Sequence, residues 1–270
     1  MPLTRRNRKA NLFTGWVRYL CICGDALPCL WQKPGKRHYA CTECHLPGAK
    51  VFRSQQKGQI MKNKNYSVIN METWPRKLHC AIFRDSLMPQ YCVSFDLNIT
   101  HFYREIKRRG LSFSMAFMYE TAKCGNKIEN FRYRFENGEV VLYDQIGTSF
   151  TYMEKGAELF KMIKVDMKDT LEEYIETAQT IIKNQTAYFD APPGNDVFVF
   201  SAIPWISFHY ISHTYGGNRE SASPAFDWGK FFERDGEMWL PFSVQVHHSF
   251  IDGVHIGRFA DMLQKQLDEF

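Results

Sequence analysis

Phe242-Ser-Val-Gln-Val-His247-His248-Ser-Phe-Ile-Asp252-Gly253-Val-His-Ile256-Gly-Arg-Phe259-Ala260-Asp-Met-Leu263 changes its hydrophobic period midway. Up to His248 the period is two: Phe242, Val244 and Val246 share one face, which His248 continues, and Ser243, Gln245 and His247 share the other. After Asp252-Gly253 the spacing of Ile256, Phe259, Ala260, Leu263 and Leu267 is that of a helix with one apolar stripe. The stretch is a strand that turns directly into the last helix.

Working outward, Met238–His247 and Lys230–Glu233 flank Asp235-Gly236, and Arg132–Glu136 and Glu139–Tyr143 flank Asn137-Gly138; both are hairpin signals. Gln90–Leu97 and Asp196–Ile203 suit strands. Helices are expected from Ile99 to Arg109, closed by Gly110, and over an apolar stretch from Phe113 to Cys124, ended by Gly125. Leu171, Tyr174, Ile175, Ala178, Ile181 and Ile182 mark a further helical stripe. A short helix should open at Trp74-Pro75-Arg76, with Thr73 as N-cap and Pro75 in the first turn, where its missing N–H costs nothing. Helices and antiparallel strands mix without a βαβ repeat, so the class is α+β. No Walker or dinucleotide glycine motif is present.

The chain has 270 residues, 44% hydrophobic and 23% charged, enough for a substantial core and too apolar for a disordered chain. No run of 18 apolar residues occurs, so no membrane-spanning helix is expected. The net charge of +5 is unevenly spread. Residues 1–60 hold 11 Lys/Arg against Asp25 and Glu43, a balance of +9, and the remainder holds 23 basic against 27 acidic residues, a balance of −4. The basic excess belongs to the first segment, and no nucleic-acid partner is expected for the body. That segment also carries Cys21, Cys23, Cys29, Cys41 and Cys44. Cys21-x-Cys23 followed by Cys41-x-x-Cys44 loosely suits a structural zinc site, and Cys41-Thr-Glu-Cys44-His45 spells a haem c attachment pattern. Arg18 interrupts the apolar region of any export signal, and Arg5-Arg6 is a weak twin-arginine pair. Met61-Lys-Asn-Lys-Asn reads as a fresh bacterial start, and Lys57-Gly58 would be encoded by a purine-rich hexamer where a ribosome-binding sequence belongs. Residues 1–60 are therefore expected to be a basic, Cys-rich extension outside the fold, and residues 61–270 the catalytic domain. Cys80, Cys92 and Cys124 lack metal spacing and read as reduced thiols of a cytoplasmic protein.

The chemistry concentrates at the strand-to-helix corner. His248 at the end of an apolar face would be kept neutral by burial and able to take a proton. Other readings stay open: Asp252 as a plain N-cap, His248 as a satisfied core histidine, or His247, His248, Asp252 and His255 as metal ligands, although neighbouring strand residues point to opposite faces.

His248-Ser-Phe-Ile-Asp252-Gly253 resembles the HxxxDG motif of chloramphenicol acetyltransferases and of dihydrolipoyl acyltransferase catalytic domains, and Gln245–Phe259 is similar to the chloramphenicol enzymes in particular. Further matches follow in order. Trp74-Pro-Arg76-Lys77 resembles W-x-R-[KR], and Asn130-Phe131-Arg132 resembles E-F-R. Phe150-Thr151 with Glu158 and Phe160 resembles F-T…E-x-F. Ser201-Ala-Ile-Pro204-Trp205-Ile-Ser-Phe208 resembles S-[AM]-x-P-W-x-x-F. Gly229-Lys230 and Leu240-Pro241 resemble the G-K and L-P that follow. The match runs from about Tyr66 to the C-terminus. Residues 1–60 show no lipoyl-domain or Pro/Ala-linker pattern, so a chloramphenicol-type enzyme is expected over a dihydrolipoyl acyltransferase core.

The resemblance implies a CoA-dependent acyltransferase fold of two layers, a mixed sheet with flanking helices, assembled as a trimer with active sites between subunits. It implies acetyl-CoA as co-substrate, no metal, and chloramphenicol or a similar hydroxylated small molecule as acceptor. His248 would be the general base, Ser201 the oxyanion donor, and Arg76 with Asp252 a buried ion pair holding the His248 turn. Ile82, Phe83 and Phe160 fall where the family lines its acceptor pocket; Trp205 suits core packing or ligand contact. Three departures stand out. Asp227 replaces the threonine before G-K, and its carboxylate either alters acceptor choice or faces water. Ser114-Met115 replaces Y-P before the buried helix. His209-Tyr-Ile-Ser-His213 replaces a D-x-F-N stretch. If residues 1–60 are an upstream extension of the reading frame, the intact mass of the native protein will correspond to a chain starting at Met61; an N-terminus before Met61 refutes this.

Overall fold

The computed structural model describes residues 65–189, 194–213 and 217–270. The expectations for residues 1–60, zinc, haem and start site alike, lie outside the described residues. In chain order the elements are β1 (Tyr66–Val68), α1 (Lys77–Arg84), β2 (Gln90–Asn98), α2 (Thr100–Arg109), α3 (Phe113–Lys127), a 3-10 turn (Glu129–Arg132), β3 (Tyr133–Glu136), β4 (Glu139–Tyr143), β5 (Gly147–Tyr152), β6 (Lys161–Val165), α4 (Leu171–Asn184), β7 (Val197–Ile203), β8 (Ala225–Gly229), β9 (Phe232–Arg234), β10 (Glu237–His247) and α5 (Gly253–Asp268).

The main sheet runs β2-β10-β8-β7-β5-β6, with β9 paired to β10; β5, β7 and β8 are parallel neighbours and the other pairs antiparallel. A small sheet, β1-β4-β3, stands apart from it. The class is α+β with a mixed sheet, as expected. Both hairpin turns form as read, with Asn137 and Gly138 at φ 52° and 83°, and Asp235 and Gly236 at 56° and 80°. Gly110 closes α2 in the left-handed conformation at φ 65°.

One face of the main sheet is aromatic. Phe242, Phe226, Phe200 and Phe198 are fully buried and meet Phe117 of α3 and Phe259 of α5. The opposite face is polar, because the residues between these are Ser201, Asp227, Ser243, Gln245 and His247. Cross-strand register sets Ser94, Ser243, Asp227 and Ser201 in one row over β2, β10, β8 and β7. The segment after β7 covers this face. Cys92 Sγ donates to the Ile211 carbonyl (3.0 Å) and the Gln245 side-chain oxygen accepts from His213 N–H (2.8 Å). Gly229 permits the close approach: a Cβ there would lie 2.7 Å from the Ile206 carbonyl oxygen.

Two local expectations are corrected. Thr73 does not cap α1, which starts at Lys77; the Asn70 carbonyl and side chain instead hold a preceding turn by accepting from Glu72, Thr73 and Trp74 N–H. Gly125 does not end α3, which continues to Lys127. Its missing side chain serves packing, since a Cβ would lie 2.9 Å from Cζ of the buried Phe198. Gly125→Ala should therefore destabilise the fold by about 1–2 kcal/mol in urea unfolding, the overpacking cost exceeding alanine's better helix propensity; unchanged or raised stability would contradict this packing.

Candidate active site

Arg76, just before α1, reaches 176 residues along the sequence to the corner after β10. Its Nη1 and Nη2 donate to the two Asp252 oxygens at 2.6 and 2.7 Å, its Nε to the Ser249 carbonyl at 2.7 Å, and Nη2 also to the His248 carbonyl at 3.0 Å. One planar fork thus takes up a bidentate carboxylate and two carbonyls that the strand-to-helix turn leaves without partners. The pair is sheltered rather than fully buried, with side chains 13% and 31% exposed. The Arg76 hydrogen bond holds the Asp252 carboxyl below the ordinary carboxylate range against an opposing effect of partial burial. Asp252 directs its carboxylate at Arg76, while its backbone N–H donates to His255 Nδ1 at 2.9 Å.

The clamp fixes His248. Its backbone N–H donates to the Pro89 carbonyl (2.8 Å), and its ring lies flat on Phe83 of α1, with centroids 3.8 Å apart and planes 4° apart. Tyr91 packs against the ring in a tilted arrangement with centroids 4.7 Å apart. His248 continues the apolar face, as the alternation predicts, but only at its margin: the strand ends at His247 and the side chain is 35% exposed. Nδ1 is buried, 3.1 Å from Asp252 Oδ1, without an aligned hydrogen bond. Nε2 has no hydrogen bond among the described residues. With Nδ1 turned toward Asp252, Nε2 is the ring nitrogen left open to a ligand. Tyr91, pushed up to about 12 chiefly by burial, stays a phenol and donates to the Ile251 carbonyl.

His247 points the other way. Its Nε2–H donates to the Arg219 carbonyl (2.7 Å) and its Nδ1 accepts from Ser249 N–H (3.1 Å), so this ring is a neutral structural element, and burial lowers its pKa. Of the four residues entertained as metal ligands, His247 is engaged by Arg219 and Ser249, His255 accepts from the Asp252 N–H, and the Asp252 carboxylate is taken up by Arg76. No group of three or more His, Cys, Asp or Glu is arranged for a metal among the described residues.

The structure brings Arg76, Phe83, His248 and Asp252 together. It sets Ser201 and Asp227 together elsewhere, as neighbours on β7 and β8. Ser243 is level with Ser201 and two strands away, and His248 lies five residues past Ser243, so His248 is displaced from Ser201 by roughly 17 Å along the strands and about 10 Å across them. The two groups do not meet within one chain. Ser201 is half-buried, with no hydrogen bond from its hydroxyl among the described residues. Asp227 does not face water: it is 1% exposed, with both oxygens 2.8 Å from His213 Nε2. Sequence reasoning missed His213, although its segment and Asp227 were both noted as departures; two departures in one family pattern were the available signal. Trp205 is not core, being 66% exposed just beyond Ser201. Ile82 and Phe160 are also exposed, Ile82 on the Phe83 helix and Phe160 edge-on to Phe189 by the edge strand β6.

Comparison with known proteins identifies the family. The sequence model described as "Chloramphenicol acetyltransferase" matches residues 64–264. A chloramphenicol acetyltransferase of Klebsiella sp is 26% identical over 212 residues, which is 77% of this chain and 97% of that protein. Chloramphenicol acetyltransferase 2 of Haemophilus influenzae is 28% identical over 209 residues, 76% of this chain and 98% of that protein. A solved structure named chloramphenicol acetyltransferase superposes with a TM-score of 0.67 at 26% identity, covering 75% of this chain and 99% of that one. The chain belongs to the chloramphenicol acetyltransferase family.

Proposed function

We propose that this protein transfers the acetyl group of acetyl-CoA to a hydroxyl of chloramphenicol. The observation that carries the reading is the His248 ring, clamped through Arg76 and Asp252 and stacked on Phe83, with Nε2 left open. His248 Nε2 takes the proton of the acceptor hydroxyl, whose oxygen attacks the thioester carbonyl directly, so no acyl-enzyme forms. The Ser201 hydroxyl donates to the resulting oxyanion, a contact of a kind that lowers a barrier by roughly 3 kcal/mol. The tetrahedral intermediate then expels the CoA thiolate, which takes the proton back from His248 Nε2 and so regenerates the neutral base. Asp252 and Arg76 orient the base and do not carry its proton.

This chemistry needs a second chain. His248 and Ser201 are too far apart within one subunit, and each lies beside exposed apolar side chains: Leu78, Ile82, Leu87 and Met88 on the His248 side, Trp205, Ile206 and Tyr210 on the Ser201 side. Two such surfaces on one molecule favour burial against one another in a closed ring, and the reading is a homotrimer with three composite sites. The Asp227–His213 pair beside Ser201 favours a second acceptor reading, a related O-acyltransferase for another hydroxylated molecule.

Thiol release from acetyl-CoA should depend on chloramphenicol, fall by about 10²–10⁴ in His248→Ala and by about 10²–10³ in Ser201→Ala. Release with another hydroxylated acceptor alone would favour the second reading, and no dependence on His248 would refute both. If the site is shared between subunits, co-expressed His248→Ala and Ser201→Ala chains will regain about one quarter of the parent activity, the statistical share of interfaces with both groups intact. Additive inactivity would place both groups in one chain's site and end the composite reading.

A further inference from the structure

We infer that His213 is a positioning residue for the acyl-transfer site, its imidazolium cancelling the charge of the buried Asp227 carboxylate that stands in the same cross-strand row as Ser201. The inference rests on the reading of Ser201 as oxyanion donor. Asp227 and Ser201 are registered partners on β8 and β7, so their side chains emerge on the same face, about 4.8 Å apart at the backbone. Asp227 is 1% exposed, and the acidic group on this row has one cationic partner among the described residues, His213 Nε2, 2.8 Å from each oxygen. The Gln245 side chain fixes the His213 backbone, which aims the ring at the carboxylate.

The electrostatic consequence follows from the charge count. With one proton the pair is neutral overall, and an oxyanion on Ser201 forms beside no net charge. Without it the pair carries one negative charge. An oxyanion held by Ser201 would lie roughly 7 Å from that charge, and at an effective dielectric constant of about 20 the repulsion slows its formation by about 50-fold. The Asp227 hydrogen bond raises the His213 pKa, with burial opposing, so the proton persists further into the neutral range than on an ordinary histidine.

Other titratable groups on this face do not take over the role. The Cys92 thiol is pushed up by burial and stays neutral, and His247 is held neutral by burial at the far end of β10. Asp96 is turned toward Arg234, and His209 lies with Ser94 and Asp96 at the other end of the row. Arg219 donates to the Asp85 carbonyl.

The test is a kcat–pH profile of the full chain with acetyl-CoA and chloramphenicol, for the parent, His213→Gln, Asp227→Asn and the double variant, with thermal melts in parallel. Glutamine keeps a donor but cannot be charged. His213→Gln should lose about 50-fold in kcat at neutral pH with the KM for acetyl-CoA little changed. Adding Asp227→Asn should restore kcat to within about threefold of the Asp227→Asn single variant. The parent should lose kcat as pH rises through the elevated His213 pKa, and this alkaline limb should vanish in Asp227→Asn. A pair serving only to pin the loop would lower the melting temperature of His213→Gln but leave its kcat and the alkaline limb as in the parent; that result, or failure of Asp227→Asn to rescue, overturns the inference. A parent protein that releases no thiol at any pH overturns the reading of Ser201, and this inference with it.

Discussion

The guanidinium of Arg76 is the joint on which the site depends. A strand that turns within four residues into a helix leaves carbonyls at the corner that neither element can satisfy. Here those of His248 and Ser249 face inward, next to the carboxylate of Asp252. A single planar cation answers all three needs at once. A lysine would supply the charge but not the fork, because its donors radiate from a point and cannot meet a bidentate carboxylate and two carbonyls in one plane. The clamp also ties α1 to the far end of the chain, and α1 supplies Phe83, on which the His248 ring is stacked. Position and orientation of the imidazole therefore have one common cause.

The same strand, β10, separates two environments. Its alternate residues put Phe242, Val244 and Val246 into an aromatic core and Ser243, Gln245 and His247 onto a hydrogen-bonded polar face. The rigidity of the first supports the precision of the second: the row Ser94, Ser243, Asp227, Ser201 is fixed by ladder register and not by flexible loops. That rigidity also prevents a single chain from folding His248 onto Ser201, since no side-chain rotation spans the two strands and five residues between them.

Legibility followed the range of the interactions. The Asn137-Gly138 and Asp235-Gly236 turns, the Gly110 cap and the stripe of α5 are written in local residue types, and all formed as read. β8 carries Asp and Gly within Ala225–Gly229 and gives no strand signal; it forms because β7 and β10 pair with it on both sides. Gly125 reads as a helix end because glycine usually is one, whereas the cause lies in Phe198, more than seventy residues later. The Arg76–Asp252 pair has no local signature at all and was visible only through resemblance, as was Ser201. Trp205 suits core packing or ligand contact from its sequence alone; its exposure in the chain removes the first of these.

Asp227 shows how a departure can be misread when taken alone. A carboxylate introduced beside Ser201, the proposed oxyanion donor, looks like damage, or like a residue turned to solvent. Burial removes the second option, and an unpaired buried carboxylate would cost several kcal/mol. A chain that keeps His248, Ser201, Asp252 and Arg76 while accepting such a charge needs a compensating cation, and the segment that also departs from the family pattern provides His213. On the proposal made above, the two departures form one electrostatic unit: Asp227 without His213 would leave an uncompensated buried carboxylate beside Ser201, whereas His213 without Asp227 would be a neutral imidazole, and the proton that the pair binds leaves the row neutral.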